Sequence, residues 1–262
     1  MEKISFKSVD KIFTANLSFR DLLSLNQKKT SALKALSDIS FNITESSLIG
    51  ILGENGAGKT TLLKLLSGLL KPDTGKISIF GLNPLENNLE TRKRTGILLN
   101  QERSFYWRLT AKENIEFFAA MHGINKKTLQ RRIPQLFDVL NIDKTIYKKS
   151  FDTLSAGIMK KFSIVRALIH DPEIILLDEP TKNLDYSSAI KFSNFIKNHL
   201  IKEQGKIVFY VSHDMNEIET MSDKIMILNK GKLLEFCDIN KFRANQENSL
   251  SHTFEKILKN SE

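Results

Sequence analysis

Between the apolar run SLIGIL and the run LLKLLSGLL lies GENGAGKTT, Gly53 to Thr61. Strand, glycine loop and helix in that order are the context in which G-x-x-x-x-G-K-[ST] binds phosphate. Gly53, Gly56 and Gly58 let the chain turn tightly. The N–H groups of the loop, those of Glu54, Asn55 and Ala57 among them, can then surround phosphate oxygens together with the positive end of the following helix. Lys59 would reach the β- and γ-phosphates, the Thr60 hydroxyl would ligate Mg²⁺, and Thr61 completes the motif. The chemistry this predicts is capture of a nucleoside triphosphate. A second run, EIILLDEP from Glu173 to Pro180, carries apolar residues into Asp178 and Glu179. Acid pairs at strand ends also serve as caps. Ligands, however, collect at the carboxyl ends of strands in open α/β sheets. Beside a phosphate loop the pair reads as Asp178 near the Mg²⁺ and Glu179 orienting a water against the γ-phosphate.

A third stretch, LSAGIMKK from Leu154 to Lys161, has no nucleophile paired with a base and too little glycine to cradle a phosphate unaided. Ile158, Phe162, Val165 and Ile169 follow it at the spacing of one helix face, so Ser155 is placed as an N-cap. A helix start offers free N–H groups and a field that favours an anion.

The elements that must position these residues are legible from patterning. ISFKSVDKIF, SDISFNIT and GKISIFG alternate and predict a small antiparallel sheet; IGILGE, TGILLNQ, IILLDEP, IVFYVSH and KIMILN predict a mostly parallel main sheet. Between Gln101 and Leu154 the pattern turns helical. Thr110 with Glu113 reads as a capping box, and Asp214 with Glu217 as a similar start, while Pro134 is expected to break or restart a helix. FYW, Phe105 to Trp107, stands between Arg103 and Arg108. Three adjacent aromatics cannot all face one side of a regular element, so at least one is expected at the surface or an interface.

Composition limits the classes that remain. The 262 residues are 41% hydrophobic, enough for a sizeable core, and no apolar run approaches the about 18–20 residues that cross a bilayer. The N-terminus lacks the apolar core and small-residue site of a secretory leader, and Cys237 is the only cysteine, so a reducing, cytoplasmic setting is expected. The charge of +9 is spread over clusters such as Lys28–Lys29, Arg92–Arg94, Lys126–Lys127, Arg131–Arg132 and Lys148–Lys149. That suits a solvated surface, with nucleic acid or an anionic membrane face as sharper alternatives.

In the order of its motifs the chain resembles the ATP-binding subunit of an ABC (ATP-binding cassette) transporter. Gln101 lies where the family has its Q-loop, LSAGIMKK where it has the signature, Asn183 to Asp185 where it has the D-loop, and His213 in FYVSHD where it has the switch histidine. The adenine-stacking aromatic would be Phe13, with Phe19 as the alternative. The resemblance implies an α/β P-loop NTPase core with a mostly parallel sheet, an antiparallel β subdomain, and a helical subdomain, about residues 102–168, that carries the signature. The ATPase domain would span 1–240, with a helical tail over 241–262. It further implies ATP and Mg²⁺ as cofactors, the metal held by Thr60, Gln101 and Asp178, and catalysis by Glu179, His213 and Gln101. Two ATP molecules would be sandwiched in a head-to-tail dimer of the chain with a second copy or a paralogous cassette. Ser155 and Gly157 would complete the partner's site, with Asp185 at the same interface. No repeat or second phosphate loop is present in the sequence, so the second cassette would come from another chain.

The sequence departs from the family's L-S-G-G-Q at Ala156 and Ile158, which puts any contact of that glutamine in doubt. A transmembrane permease subunit is the implied partner, docking a coupling helix near Tyr106 or Trp107, at the cytoplasmic face of the cell membrane, with no nucleic acid expected. The segment TANLSFRDLLSLNQKKTSALKAL resembles exporters. An importer subunit, or a soluble cassette ATPase acting on DNA or ribosomes, is the alternative.

Overall fold

The computed structural model describes residues 2–14, 32–99, 105–244 and 250–259. The expected positions Phe19, Gln101 and Arg103 lie outside them.

Two sheets form the frame. The larger has the order β5 (Thr95–Leu98), β6 (Ile174–Asp178), β7 (Ile207–Val211), β3 (Leu48–Leu52), β8 (Lys224–Asn229), β9 (Lys232–Asp238). Its pairs are parallel except for the β8–β9 edge. β3, β6 and β7 are buried at every residue, as a parallel sheet covered on both faces requires. The two-residue period of a strand divides their side chains between two cores. Leu48, Leu52, Ile175, Leu177, Val208 and Tyr210 enter one, against the helical region. Ile49, Ile51, Ile174, Leu176, Phe209 and Val211 enter the other.

The second core is closed by α1 (Lys59–Leu66) and by the antiparallel sheet of β2 (Ala32–Ile43), β1 (Ile4–Thr14) and β4 (Thr74–Ile79). The stacked rings of Phe6 and Phe41, with centroids 4.6 Å apart, help fix it. Both sheets are thus as the patterning predicted, apart from the edge strand β9, which the sequence reading did not assign.

α2 (Asn88–Arg94) precedes β5. The helical region then comprises α3 (Ala111–Met121), α4 (Lys126–Val139) and α5 (Ala156–Leu168). Thr110 caps α3 in the expected capping box: its hydroxyl accepts from the Glu113 N–H, and Glu113 accepts from the Thr110 N–H at 2.7 Å. Pro134 corrects an expectation, since α4 runs through it. Leu129, Ile133, Leu136 and Phe137 seat the opposite face in the core, whereas Pro134 and Gln130, whose carbonyl loses its donor, face solvent. Packing holds the helix, and the freed carbonyl is on the solvent side.

The start of α7 (Met215–Met221) is also a correction. Asp214 caps it, accepting from the Asn216 and Glu217 N–H groups, but the Glu217 carboxylate bonds to other groups and not to the cap. α6 (Tyr186–Asn194) follows the Asn183–Asp185 turn, and α8 (Ile239–Ala244) and α9 (Leu250–Lys259) end the described chain. Phe242 and Phe254 bury these last helices in the first core.

Candidate active site

Every residue from Glu54 to Thr61 lines one cavity of about 890 Å³, and Asp178, Glu179 and His213 line its other side. β3 ends beneath the loop, β6 delivers the acids, and β7 delivers the histidine, so three neighbouring parallel strands converge at their carboxyl ends. Gly58 sits at φ +104°, and a Cβ there would stand 2.6 Å from Leu36 and 2.7 Å from the Ala35 carbonyl oxygen. Neither the backbone nor the space admits a side chain, so the glycine is what lets the loop enter α1 at this angle.

Lys59 is buried, and its Nζ donates to the carbonyl oxygens of Gly53 at 2.5 Å and Glu54 at 3.0 Å. Gly53 therefore joins the site through its carbonyl. Burial pushes the Lys59 pKa down, and the charges of Asp178, Glu179 and Glu54 partly restore it. The Thr60 hydroxyl donates to Asp178 Oδ2 at 3.0 Å. A hydroxyl and a carboxylate oxygen side by side beside a phosphate cradle are the hard donors Mg²⁺ takes, since that ion is bound by one or two carboxylates plus substrate phosphates. Among the described residues no group of three or more His, Cys, Asp or Glu could hold a metal without such a substrate.

Glu179 leaves β6 at φ +52°, in the left-handed region, with its N–H bonded to the Val211 carbonyl at 3.0 Å. Such backbone costs on the order of 1–3 kcal/mol and persists where the surroundings impose it. Its Oε1 is buried and, among the described residues, has no hydrogen-bond partner; His213 Nε2 stands 3.7 Å away. Burial raises the Glu179 pKa; His213 opposes that, and the Asp178 charge adds to it. A buried carboxylate oxygen without a donor is a place for a molecule that can donate, such as water. Phe13 lines the mouth, 40% exposed, opposite Leu33 on β2, with Lys11 Nζ 5.5 Å from its ring centroid.

Ser155, Gly157 and Asp185 are not part of this cavity. Ser155 caps α5 as predicted, accepting from the Ile158 N–H at 3.4 Å, and is exposed. A Cβ on Gly157 would stand 2.9 Å from the Asn183 carbonyl oxygen, so the absence of a side chain lets the helix start rest on the 183–185 turn. Ile158 is half-buried and packs on the first core instead of reaching outward. The Asp185 carboxylate accepts from buried Lys161 Nζ at 2.7 Å, and from the Ser188 N–H and hydroxyl at 2.9 and 2.7 Å. Those donors, Lys161 first, hold its pKa far below the usual carboxylate range. Asp185 is thus a cap and a clamp between α5 and α6.

Sequence reasoning missed Lys160 on α5, whose Nζ lies 3.5 Å from the Asp178 carbonyl oxygen and whose pKa burial lowers to about 8. The signal was the lysine pair beside an apolar helical face. Of the aromatic triplet, Phe105 is buried and stacked on Phe151 at 4.2 Å, while Tyr106 and Trp107 are exposed, as the spacing argument required. Asn114, itself fully buried, holds that turn by accepting from the Tyr106 N–H and donating to its carbonyl. Among the described residues no helix is long and apolar enough to cross a membrane.

Residues 36–182 match a family model described as ABC transporter. The ABC transporter ATP-binding protein NatA of Bacillus subtilis (strain 168) is 36% identical over 208 residues, covering 79% of this chain and 83% of that protein. The bacitracin transport ATP-binding protein BcrA of Bacillus licheniformis is 37% identical over 208 residues, covering 79% of this chain and 66% of that protein, just under two thirds of its length. Among solved structures, a dimeric ATP-binding cassette in a post-hydrolysis state, bound to ADP and Pi, superposes with a TM-score of 0.75 at 25% identity, covering 90% of this chain and 98% of that one.

Proposed function

This chain belongs to the ABC transporter family and is an ATPase of the cassette type, and from that premise we propose that it energises export of a substrate across a membrane through a separate transmembrane permease subunit. The observation that carries the reading is the convergence of Lys59, the Thr60–Asp178 pair and the unpartnered Glu179 oxygen on one cavity.

In this reading Lys59 turns from the loop carbonyls to the β- and γ-phosphates of ATP, and the loop N–H groups bind the remaining phosphate oxygens. Thr60 and Asp178, with Gln101, would hold Mg²⁺, which supplies charge neutralisation at the transferring phosphate. Glu179 orients water so that its oxygen bonds to the γ-phosphorus as the β–γ bridge breaks, and accepts the proton released; a pKa raised by burial makes it the better base. His213 approaches the same phosphate, and Phe13 stacks on the adenine.

Ser155 and Gly157 would face the nucleotide of a second copy or a paralogous cassette, with Asp185 clamping the turn beneath them. Tyr106 or Trp107 would receive the permease at the cytoplasmic face of the membrane. Residues 1–240 form the ATPase domain in this reading, with the helical part at about 102–168 and a helical tail over 241–262. Export is supported by the sequence of the 14–36 segment, and transport by kinship to a protein named for bacitracin transport.

Phosphate release by the purified chain at rising protein concentration tests the proposal. Expected are Mg²⁺-dependent hydrolysis and a rate per subunit that climbs with concentration as the sandwich forms. Strong stimulation by duplex DNA or ribosomes would instead favour a soluble cassette ATPase.

A further inference from the structure

Glu217 carries no role in the reading above, yet its carboxylate is the node of a hydrogen-bonded network behind His213. Tyr210, fully buried on β7, donates its hydroxyl to Glu217 Oε1 at 2.6 Å. Ser212, also buried, donates to Glu217 Oε2 at 2.6 Å, and its own oxygen accepts from the Asp214 N–H at 3.1 Å. The residues on either side of His213 are therefore tied, directly or through one hydroxyl, to a single carboxylate. The Tyr210 hydroxyl also stands 3.5 Å from Thr181 Oγ1, so the network touches the chain just past Glu179.

Both bonds to Glu217 are short and charge-assisted, the kind that fix geometry in a low-dielectric interior. His213 itself is half-exposed: its ring Nε2 comes no nearer to Glu179 Oε1 than 3.7 Å, while its backbone N–H also interacts with the Glu179 carboxylate. What holds it facing the cavity is the backbone on either side of it. Because Asp214 alone caps α7, the Glu217 carboxylate is left to do this.

We propose that Glu217 is a positioning residue for hydrolysis: through Tyr210 and Ser212 it sets the main chain around His213, and so the distance between His213 and Glu179. The inference rests on the reading of His213 and Glu179 given above.

Steady-state ATPase kinetics of the full chain with Glu217→Gln, His213→Ala and the double variant test it. The glutamine keeps the shape but presents a donor to one of two donating hydroxyls. The expectation is a kcat about 10-fold lower, within the loss a small misplacement of a reacting group can cause, with KM for ATP changed less than about two-fold. In the His213→Ala background the same substitution should cost nothing further, because what it positions is gone. A merely structural role would lower both backgrounds equally, and that result, or wild-type kcat in Glu217→Gln, overturns the proposal. Full activity in His213→Ala would overturn the premise as well, and so differs from a failure of Glu217 alone. Should Glu217→Gln not fold, Tyr210→Phe and Ser212→Ala each remove one arm and are expected to show smaller kcat losses with the same dependence on His213.

Discussion

The phosphate loop and the start of α5 both offer helix N–H groups to an anion, but they are built differently. The loop closes on itself. Its lysine is held by its own carbonyls, its threonine meets a carboxylate from β6, and a strained Glu179 carries a bare buried oxygen at the cavity wall. The α5 start is rigid from behind and open in front. Asp185 clamps Lys161, Gly157 rests on Asn183, and Ser155 with Ala156 faces solvent. A site that finishes chemistry must carry its own strain and unpaired groups, whereas a surface that completes another molecule's site needs only a fixed backbone and free donors. The two regions are also in contact: Lys160 Nζ of α5 lies 3.5 Å from the Asp178 carbonyl oxygen.

The largest effect is expected from breaking the phosphate loop. Lys59→Ala removes the buried ammonium of the phosphate loop and should lower ATP hydrolysis by ~100-fold or more, as removal of a preorganised charge-stabilising donor does. Phosphate release measured beside a thermal melt checks it. Full activity would show that the loop is a glycine turn with an incidental lysine.

Breaking the open site should leave each chain able to bind ATP. Glu179→Gln is expected to bind ATP, hydrolyse it very slowly and accumulate as a dimer, because the step that releases the interface is blocked. Adding Ser155→Arg sets a bulky cation at the helix start and removes a cap worth about 1 kcal/mol. Light scattering with and without ATP should then report a monomer that still binds nucleotide. An unchanged dimer would mean that the α5 start is a capped helix and nothing more, and the contrast between the two regions would fail.

The difference between the regions also governs what the sequence could tell. Gly58, Lys59, Asp178 and Ser155 were legible because their roles depend on local geometry: a left-handed turn, a strand end, a helix start. The continuous apolar runs that form β3 and β6 were legible for the same reason. The Asp185–Lys161 clamp and the Tyr210–Glu217–Ser212 network were not, since they join residues that only tertiary packing brings together. Pro134 misled because propensity was set against a helix whose buried face outweighs one lost hydrogen bond. Glu217 misled because a capping-box spacing fits equally a carboxylate that turns inward.

The smallest effect concerns the strain itself. If Glu179 is kept ionised in a buried place for catalysis, the fold is less stable for it, and Glu179→Gln should melt higher than the parent at about pH 7.5. The sign follows from the raised pKa. The folded chain binds the Glu179 proton more tightly than the unfolded chain does, so this group's contribution is most favourable below its ordinary value and is lost as pH climbs through the folded pKa. Above the folded pKa the whole penalty is present, and a neutral amide of the same shape removes it. Relief of about 1 kcal/mol, at the low end for an uncompensated buried polar group, corresponds to roughly 2–4 °C for a domain of this size. The gain should shrink as the pH is lowered through the raised folded pKa, where the parent carboxyl itself takes up a proton. Differential scanning calorimetry of both proteins across that range, without nucleotide, reads it directly. A gain that stays constant with pH would assign the effect to packing, and a loss at neutral pH would show that Glu179 is a satisfied ion and no more strained than the carboxylate of Asp185.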